Sequence, residues 1–353
     1  MKYPALVTNK QNLRNNILEM QKLCAENGVS FCAVTKCFCA IPEITEVYYK
    51  AGVRDFADSR ILNLRRMDYA GIRKWLLRIP MLSEAEDVVK YADVSLNSEV
   101  KTIAALSEAA LELGKRHGVV LMVDVGDLRE GVLVKDAVTT AGEILKHTGV
   151  ELLGIGTNLN CYGGIIPTVD NLTQLAETAE AIEKTYGITL SIVSGGNSGS
   201  IHMLTSKTMP KKVNNLRLGE VLFIGVETSY QQRVGSMNSE VFRLEAQIVE
   251  CKEKPSLPIG ESGLNAFGDA VSFVDKGPMK RAIIACGHQD VSFEKIVPFD
   301  PKIEIIGSSS DHMIIDVTHA DKKYQVGDVL SFSISYGSLL TLSTSEYVHK
   351  CYE

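Results

Sequence analysis

The chain has 353 residues, of which 45% are hydrophobic and 23% charged, the composition of an ordinary folded protein. With 37 Lys and Arg against 43 Asp and Glu, the formal net charge is −6, which argues against a basic nucleic-acid-binding region. No run of residues is long and apolar enough for a membrane span, and no signal peptide is recognisable. We therefore expect a cytoplasmic protein that binds neither nucleic acid nor membrane, with enough chain for two domains.

Eight cysteines are spread through the chain instead of being concentrated in a short segment. Disulfide scaffolds concentrate their cysteines in short secreted domains, so reduced and mostly buried thiols are predicted here. The closest pair, Cys37 and Cys39, has the wrong spacing for a zinc knuckle and no matching second pair. No metal site is predicted at this pair.

Residues 30 to about 225 alternate short aliphatic or β-branched runs with longer segments of helical period, the pattern of βαβ units. The predicted strands are residues 31–35, 55–57, 75–79, 93–96, 119–124, 152–156, 190–193 and 216–223. Predicted helices between them include residues 42–51, 83–90, 98–117 and 170–186. Eight strands favour a (β/α)8 TIM barrel over an open doubly wound sheet, which usually has about five or six strands.

The pattern changes after about residue 230, where strand-like runs are separated by clusters of Gly, Pro, Asp and Ser. The predicted strands of this part are residues 240–250, 280–285, 302–306, 313–317 and 329–336. The chain is therefore predicted to be an α/β protein with two domains, a (β/α)8 barrel over residues 1–230 and a C-terminal all-β domain over residues 231–353. The first few residues are candidates for pairing with the β domain.

Two features at the ends of barrel strands predict a cofactor. Lys36 follows the first predicted strand; a lysine there can reach into solvent, but partial burial would favour the neutral amine that forms Schiff bases. Residues 194–200, SGGNSGS, follow the seventh strand and suit a small phosphate, although such a loop alone is more often a turn. A lysine and a phosphate site at one barrel mouth suggest pyridoxal 5'-phosphate (PLP).

Several motifs, in order along the chain, are similar to those of the fold-type III PLP enzymes, typified by alanine racemase. They are residues 33–36 (AVTK), Asp124-x-Gly126-x-x-Arg129-x-Gly131, Asn197-Ser198, and Arg217-x-Gly219 with the following Gly225. Those enzymes also join a barrel to a C-terminal β domain, so the resemblance covers nearly the whole chain. Within the family, the bacterial ornithine racemases are the most similar, on the segments CAVTKCFCA, DFADSR, MVDVGDLREG, NCYGGIIPT, SGGNSGS, LRLGE and GSSSDHMIIDV.

The resemblance implies a role for each matched residue. Lys36 would form the Schiff base with PLP and act as one of two bases at the substrate α-carbon. Arg217 would pair with the pyridine nitrogen; because a guanidinium is effectively never deprotonated, the ring nitrogen would stay unprotonated and the ring would be a weaker electron sink. Arg129 would bind the substrate carboxylate. The phosphate would be held by Asn197, Ser198, Tyr336 and the backbone amides of Gly219 and Glu220.

Some positions depart from the pattern of alanine racemase. His288 stands where those enzymes have the tyrosine base of the opposite face; an imidazole can act as a base near neutral pH, and a structural histidine or a substrate contact are the alternatives. Met122 replaces a modified lysine that orients the arginine, so Arg129 must be held differently, and Asn158 replaces a histidine near the ring. His288 and Asp290 are also similar to the metal pair of D-threonine aldolases and D-serine dehydratases, but without a third ligand no metal is predicted.

The chain is therefore predicted to be a PLP-dependent amino-acid racemase, an isomerase, that interconverts L- and D-ornithine by two-base transfer of the α-proton. The resemblance implies a homodimer with shared active sites. Alternatives are a racemase of lysine, alanine or serine, a metal-assisted aldolase or dehydratase of the same fold, a PLP carrier without activity, and a sugar-phosphate barrel enzyme. The candidates for binding the second ammonium of ornithine are Asp127, Glu130, Asp290 and Asp311.

Overall fold

The structure, a computed structural model, describes residues 1–265 and 267–353. The chain divides into two compact units, one of Lys10–Ser239 and the other of Met1–Asn9 together with Glu240–Glu353. The eight cysteines are free thiols. Within the described ranges, no helix is both long and apolar enough to cross a membrane.

The larger unit contains a closed parallel β-barrel. Its strands, among the described residues, are β2 (Ser30–Val34), β3 (Asp55–Asp58), β4 (Arg73–Leu76), β5 (Val94–Asn97), β6 (His117–Asp124), β7 (Val132–Leu133), β8 (Val150–Gly156), β9 (Ile192–Ser194) and β10 (Asn215–Leu218). The order is β5-β4-β3-β2-β10-β9-β8-β6-β7, and β5 also pairs with β6, which closes eight strands into a ring with β7 as a short extension of β6. The predicted (β/α)8 barrel is confirmed.

Helices alternate with these strands along the chain. They are α1 (Lys10–Glu26), α2 (Pro42–Lys50), α3 (Ile61–Arg66), α4 (Ala85–Tyr91), α5 (Val100–Glu112), α6 (Val134–Ile144), α7 (Val169–Tyr186), α8 (Ile201–Thr205) and α9 (Val221–Ile224). The longest helix, α7, shows why the sequence folds this way. It begins with a capping box in which Thr168 and Asn171 each accept the backbone N–H of the other, and it ends at Gly187, whose φ of 64° favours glycine.

The barrel interior is filled by apolar side chains. The residues of this cluster are Cys32, Val34, Ala57, Trp75, Val94, Leu96, Val120, Met122 and Ile192. One position admits only glycine, because a Cβ on Gly154 would lie 1.9 Å from the carbonyl oxygen of Ile192 on the neighbouring strand. The packed interior leaves the ends of the strands as the place for a site.

Most boundaries in the barrel differ from those predicted by about one to three residues, and two differ by about five. The helix predicted over residues 98–117 ends at Glu112, because Gly114 adopts a φ of 62°, and His117 already begins β6. The strand predicted over residues 216–223 ends at Leu218, and Val221–Ile224 form the short helix α9. This helix is apolar throughout and its first three residues are buried, so its composition resembles that of a buried strand.

The smaller unit is an antiparallel β domain, as predicted. Its strands are β1 (Ala5–Thr8), β11 (Phe242–Pro255), β12 (Pro278–Ile284), β13 (Ile296–Pro298), β14 (Glu304–Ser308), β15 (Met313–Asp316), β16 (Val329–Ile334) and β17 (His349–Tyr352). The main order is β13-β16-β11-β12-β15-β14, and β1 pairs antiparallel with β11 and parallel with β17. The unit also contains a helix, α10 (Tyr336–Thr344), so the strand predicted over residues 329–336 ends at Ile334.

Candidate active site

Five neighbouring barrel strands bring most of the predicted site residues to one end of the barrel. The strands β2, β10, β9, β8 and β6 are parallel neighbours in that order. Because parallel strands end at the same edge, the segments that follow them meet at one mouth. These segments are residues 35–40, 219–220, 195–200, 157–160 and 125–131.

Lys36 is held by the short turn that follows β2. It begins a single turn of 3-10 helix, Lys36–Phe38, and its neighbours Thr35 and Cys37 are fully buried. Lys36 itself is exposed. The sequence left two environments open for this lysine, solvent and partial burial, and the structure places it in solvent. Its ammonium lies close enough to Glu220 to oppose the rise that burial imposes on the pKa of that carboxyl.

Arg217 is a buried guanidinium on β10. It is 3% exposed, and its Nη2 donates to the carbonyl oxygen of Thr157 and to Oδ1 of Asn158, both over 2.6 Å. Its Nη1 donates to Oγ of Ser194. All three acceptors are neutral, and burial lowers the pKa of Arg217. The side chain is thereby fixed in one orientation at the ends of β8 and β9.

Arg129 and Glu130 form a two-pronged ion pair after β6. Nη2 of Arg129 donates to Oε1 of Glu130 over 2.6 Å, and Nε of Arg129 donates to Oε2. The hydrogen bond to Glu130 raises the pKa of Arg129. Burial favours a higher pKa for Glu130, but the hydrogen bonds and charge of Arg129 outweigh it, and the pKa of Glu130 is lowered. Sequence reasoning missed this pair, since it considered Glu130 only as a partner for the substrate.

The Gly- and Ser-rich loop after β9 is joined to the turn after β10. Oγ of Ser198 accepts the backbone N–H of Val221 over 3.2 Å, which brings residues 198 and 219–221 together. Asn197 folds the loop itself: its Oδ1 accepts the N–H of Gly199, and its Nδ2 donates to the carbonyl oxygen of Leu159, both over 2.8 Å. Four of the five predicted phosphate contacts, at residues 197, 198, 219 and 220, are therefore close together.

A buried hydroxyl at this mouth has no partner among the described residues. The hydroxyl oxygen of Thr157, directly after β8, is buried and makes no hydrogen bond, while the carbonyl oxygen of the same residue accepts from Arg217. A buried hydroxyl without a partner is rare in folded proteins and is usually completed by water or a bound group.

Two predicted site residues lie in the β domain. His288 follows β12 and is exposed; its backbone N–H donates to the carbonyl oxygen of Ser309 over 2.9 Å, and its ring centroid lies 4.7 Å from that of Phe267. Tyr336 begins α10, where the Ser335 side chain caps the helix.

The acidic residues that are candidates for binding the second ammonium of ornithine differ in the hydrogen bonds that they already accept within the protein. Asp127 is buried and accepts the backbone N–H groups of Tyr162 and Gly163 over 2.9 and 3.1 Å. Asp290 is buried and accepts from Oγ of Ser345 over 2.7 Å. Asp311 is exposed beside His312. In the part of the chain that the structure describes, no group of three or more His, Cys, Asp or Glu is placed to hold a metal ion.

Comparison with known proteins identifies the family. Residues 8–226 match the N-terminal domain of alanine racemase. The chain belongs to the alanine racemase family. It is therefore an amino-acid racemase, an isomerase, as predicted.

Relatives of this racemase are similar over their full length. An ornithine racemase of Acetoanaerobium sticklandii is 46% identical over 349 residues, 99% of each chain. A lysine racemase of Thermotoga maritima is 39% identical over 356 residues, 100% of this chain and 99% of the relative. The crystal structure of alanine racemase from Bartonella henselae with covalently bound pyridoxal phosphate covers 100% of both chains at 19% identity, with a TM-score of 0.75. The last comparison supports the fold.

Proposed function

We propose that this racemase uses PLP to interconvert L- and D-ornithine. The substrate is supported by the full-length similarity to an ornithine racemase at 46% identity, against 39% for a lysine racemase. The two amino acids differ by one methylene group in the side chain, and one methylene is worth only about 1–3 kcal/mol of discrimination in a pocket. Lysine is therefore the second candidate substrate.

One register relationship carries the proposal. Arg217 on β10 pairs with Cys32 on β2, so the ends of these two neighbouring strands present Arg217 and Lys36 at the same mouth. The loop joined through Ser198 and Val221 stands beside them. An amine, a guanidinium and a Gly- and Ser-rich loop on adjacent strand ends match the aldehyde, the ring nitrogen and the phosphate of PLP.

The residues present fit this cofactor. Lys36 would hold the aldehyde carbon, and Arg217 would face the pyridine nitrogen. The hydroxyl of Thr157, which has no partner among the described residues, belongs to a residue that contacts Arg217, and a bound group could complete its hydrogen bonding. The phosphate would be held by Asn197, Ser198, Tyr336 and the amides of Gly219 and Glu220. When bound, PLP makes the α-hydrogen of an amino acid acidic by drawing electron density from the α-carbon.

Side chains of the protein orient the substrate and transfer the proton. Arg129 binds the substrate carboxylate and so fixes which face of the α-carbon each base meets. One base, Lys36 or His288, takes the α-proton as the C–H bond breaks, and the electron pair stays with the substrate. The conjugate acid of the other base then delivers a proton to the opposite face, which forms the new C–H bond in inverted configuration. Exchange of the two roles gives the reverse reaction.

We also propose that the protein is a cytoplasmic homodimer in which the β domain of one subunit completes the site of the other with His288. Large apolar side chains are exposed in the β domain among residues 257–265 and 267–274, including Ile259 at 91% and Val274 at 77%. Exposed apolar side chains concentrated in one segment are typical of a protein interface and support association of two subunits. The free thiols agree with a reducing compartment.

The test is a substrate panel with PLP-saturated protein. Ornithine, lysine, alanine and serine are followed by optical rotation and by deuterium uptake at the α-carbon. We expect ornithine to be the best substrate, a metal chelator to have no effect, and Lys36→Ala to abolish both signals. Lys101→Ala, at an exposed position of α5, is the matched control. Inert ornithine would refute the substrate assignment, and full turnover by Lys36→Ala would refute the role of Lys36.

A further inference from the structure

Glu130 accepts three hydrogen bonds at the barrel mouth, all from side chains. Its carboxylate accepts from Nε and Nη2 of Arg129 on one side and from Nδ2 of Asn158 on the other. The Glu130 side chain is 16% exposed, whereas that of Arg129 is 43% exposed. The Glu130 carboxylate is therefore more buried than the Arg129 guanidinium to which it is bonded.

Asn158 connects Glu130 to the second arginine, Arg217. Its Oδ1 accepts from Nη2 of Arg217 over 2.6 Å, while its Nδ2 donates to Glu130. Only one orientation of the amide satisfies both contacts, since the guanidinium can only donate and the carboxylate can only accept. Arg129, Glu130, Asn158 and Arg217 therefore form one continuous hydrogen-bonded chain across the ends of β6, β8 and β10, which we call the two-arginine relay.

The formal charges of the relay show why a carboxylate is needed between the two arginines. Two guanidinium groups and one carboxylate leave one net positive charge. Without Glu130, Arg129 and Arg217 would repel one another in a partly buried site, and Arg217 has only neutral acceptors of its own. With Glu130, the charge of Arg129 is paired and the repulsion between the two guanidinium groups is reduced, while the remaining formal charge lies on the buried Arg217.

We propose that Glu130 is a positioning residue that holds Arg129 for the substrate carboxylate and, through Asn158, ties its orientation to that of Arg217. This inference rests on the proposed function, which gives the two arginines their ligands. It answers how Arg129 is held where Met122 leaves no modified lysine to orient it. It gives Glu130 a different role from binding the second ammonium of ornithine, since both of its oxygens already accept hydrogen bonds within the relay.

The first test measures ligand binding to PLP-loaded protein by its change in absorption. Glu130→Gln keeps the size of the side chain but removes its charge and one acceptor. We expect the dissociation constant of ornithine to rise about tenfold, and that of 1,4-diaminobutane, which is ornithine without its carboxylate, to stay the same. KM for ornithine should rise by a similar factor, with kcat changed by less than about threefold. Glu143→Gln, which breaks the surface ion pair with Lys146, is the control.

The second test needs neither cofactor nor substrate. Phenylglyoxal modifies free guanidinium groups, and the modification of Arg129 is followed by mass spectrometry of its peptide. Glu130→Gln should speed this modification several-fold and Glu143→Gln should not. An unchanged rate at Arg129, or an equal loss of affinity for ornithine and 1,4-diaminobutane, would overturn the positioning role. A wild-type protein that binds neither PLP nor ornithine would instead refute the proposed function, while the phenylglyoxal rates would still decide the role of Glu130.

Discussion

Oγ1 of Thr35 donates a hydrogen bond to Oδ2 of Asp58 over 2.6 Å, which ties the residue before Lys36 to the end of β3. Asp58 is fully buried and also accepts from the backbone N–H of Arg60 over 2.9 Å and from Nδ2 of Asn63 over 3.0 Å. Burial raises the pKa of Asp58, and these hydrogen bonds oppose that rise. The proposed cofactor lysine is therefore attached to a buried polar cluster, not to a free loop.

Thr35→Val should destabilise the barrel and disturb the position of Lys36. The substitution keeps the shape of the side chain but leaves a buried carboxyl oxygen without its donor, which costs about 1–3 kcal/mol. Urea unfolding can be followed by the fluorescence of Trp75, the single tryptophan, which is buried in the barrel. Thr35→Ser, which keeps the hydroxyl, should lose less than half as much stability. Equal losses for the two variants would show that the hydrogen bond is not what matters.

Arg217→Lys should weaken PLP binding and lower the rate of racemisation. An ammonium cannot reproduce the planar fork that reaches Ser194, Thr157 and Asn158 together, so we expect a loss of about tenfold to a hundredfold in kcat/KM. PLP affinity is measured by titration of absorption. Arg116→Lys, at an exposed ion pair with Glu151, should change neither quantity. Wild-type values for Arg217→Lys would contradict its proposed contact with the ring nitrogen.

His288→Asn should separate proton exchange from racemisation. If His288 and Lys36 serve opposite faces, the variant keeps one base, so it should exchange the α-proton of one enantiomer of ornithine with solvent deuterium while net racemisation falls by at least about a hundredfold. His312→Asn, at an exposed histidine beside Asp311, is the control. Loss of exchange from both enantiomers, or undiminished racemisation, would rule out His288 as the second base.

His117 should make the barrel less stable at acid pH. It is 2% exposed, its Nε2 lies 2.8 Å from Oγ of Ser95, and burial lowers its pKa from 6.5 to about 4. Between these values the unfolded chain binds the extra proton and the folded chain does not, so stability falls as the pH drops from 6.5 towards 4, by up to about 3 kcal/mol.

The measurement for His117 is urea unfolding at about pH 7 and about pH 4.5, again followed by Trp75. His117→Gln removes the titrating group, so its stability should depend less on pH than that of the wild type. His349→Gln, at an exposed position of β17, should keep the wild-type dependence. An unchanged pH dependence in His117→Gln would contradict the prediction.

The barrel was predictable because its strands are runs of buried aliphatic residues separated by amphipathic helices. The position of Lys36 follows from the same pattern, since it lies just after the end of such a run. Arg217 was near the start of the strand predicted over residues 216–223, and its role followed from the family motif Arg217-x-Gly219. The short helix α9 was not predictable, because its four residues are all apolar and nothing in their composition distinguishes them from a strand. Helix α10 was missed although Ser335 caps it, because the strand predicted over residues 329–336 extended past this cap.

The relay could not be predicted because it depends on register. Glu130 and Asn158 are 28 positions apart, and they meet because β6 and β8 are neighbours with Met122 opposite Gly156. A sequence shows that each residue follows a strand, but the pairing of the strands and the rotamers of the side chains decide which of them touch. The hydrogen bonds that Asp127 accepts could not be predicted for the same reason, since its partners lie in a loop 35 residues further along.

The pairing of β1 with both β11 and β17 means that the barrel is an insertion within the β domain. Residues 10–239 are contiguous and can fold before the sheet that contains β1, which cannot close until both β11 and β17 have been synthesised. The N-terminal strand therefore stays unpaired until β11 emerges, and the later arrival of β17 completes its sheet.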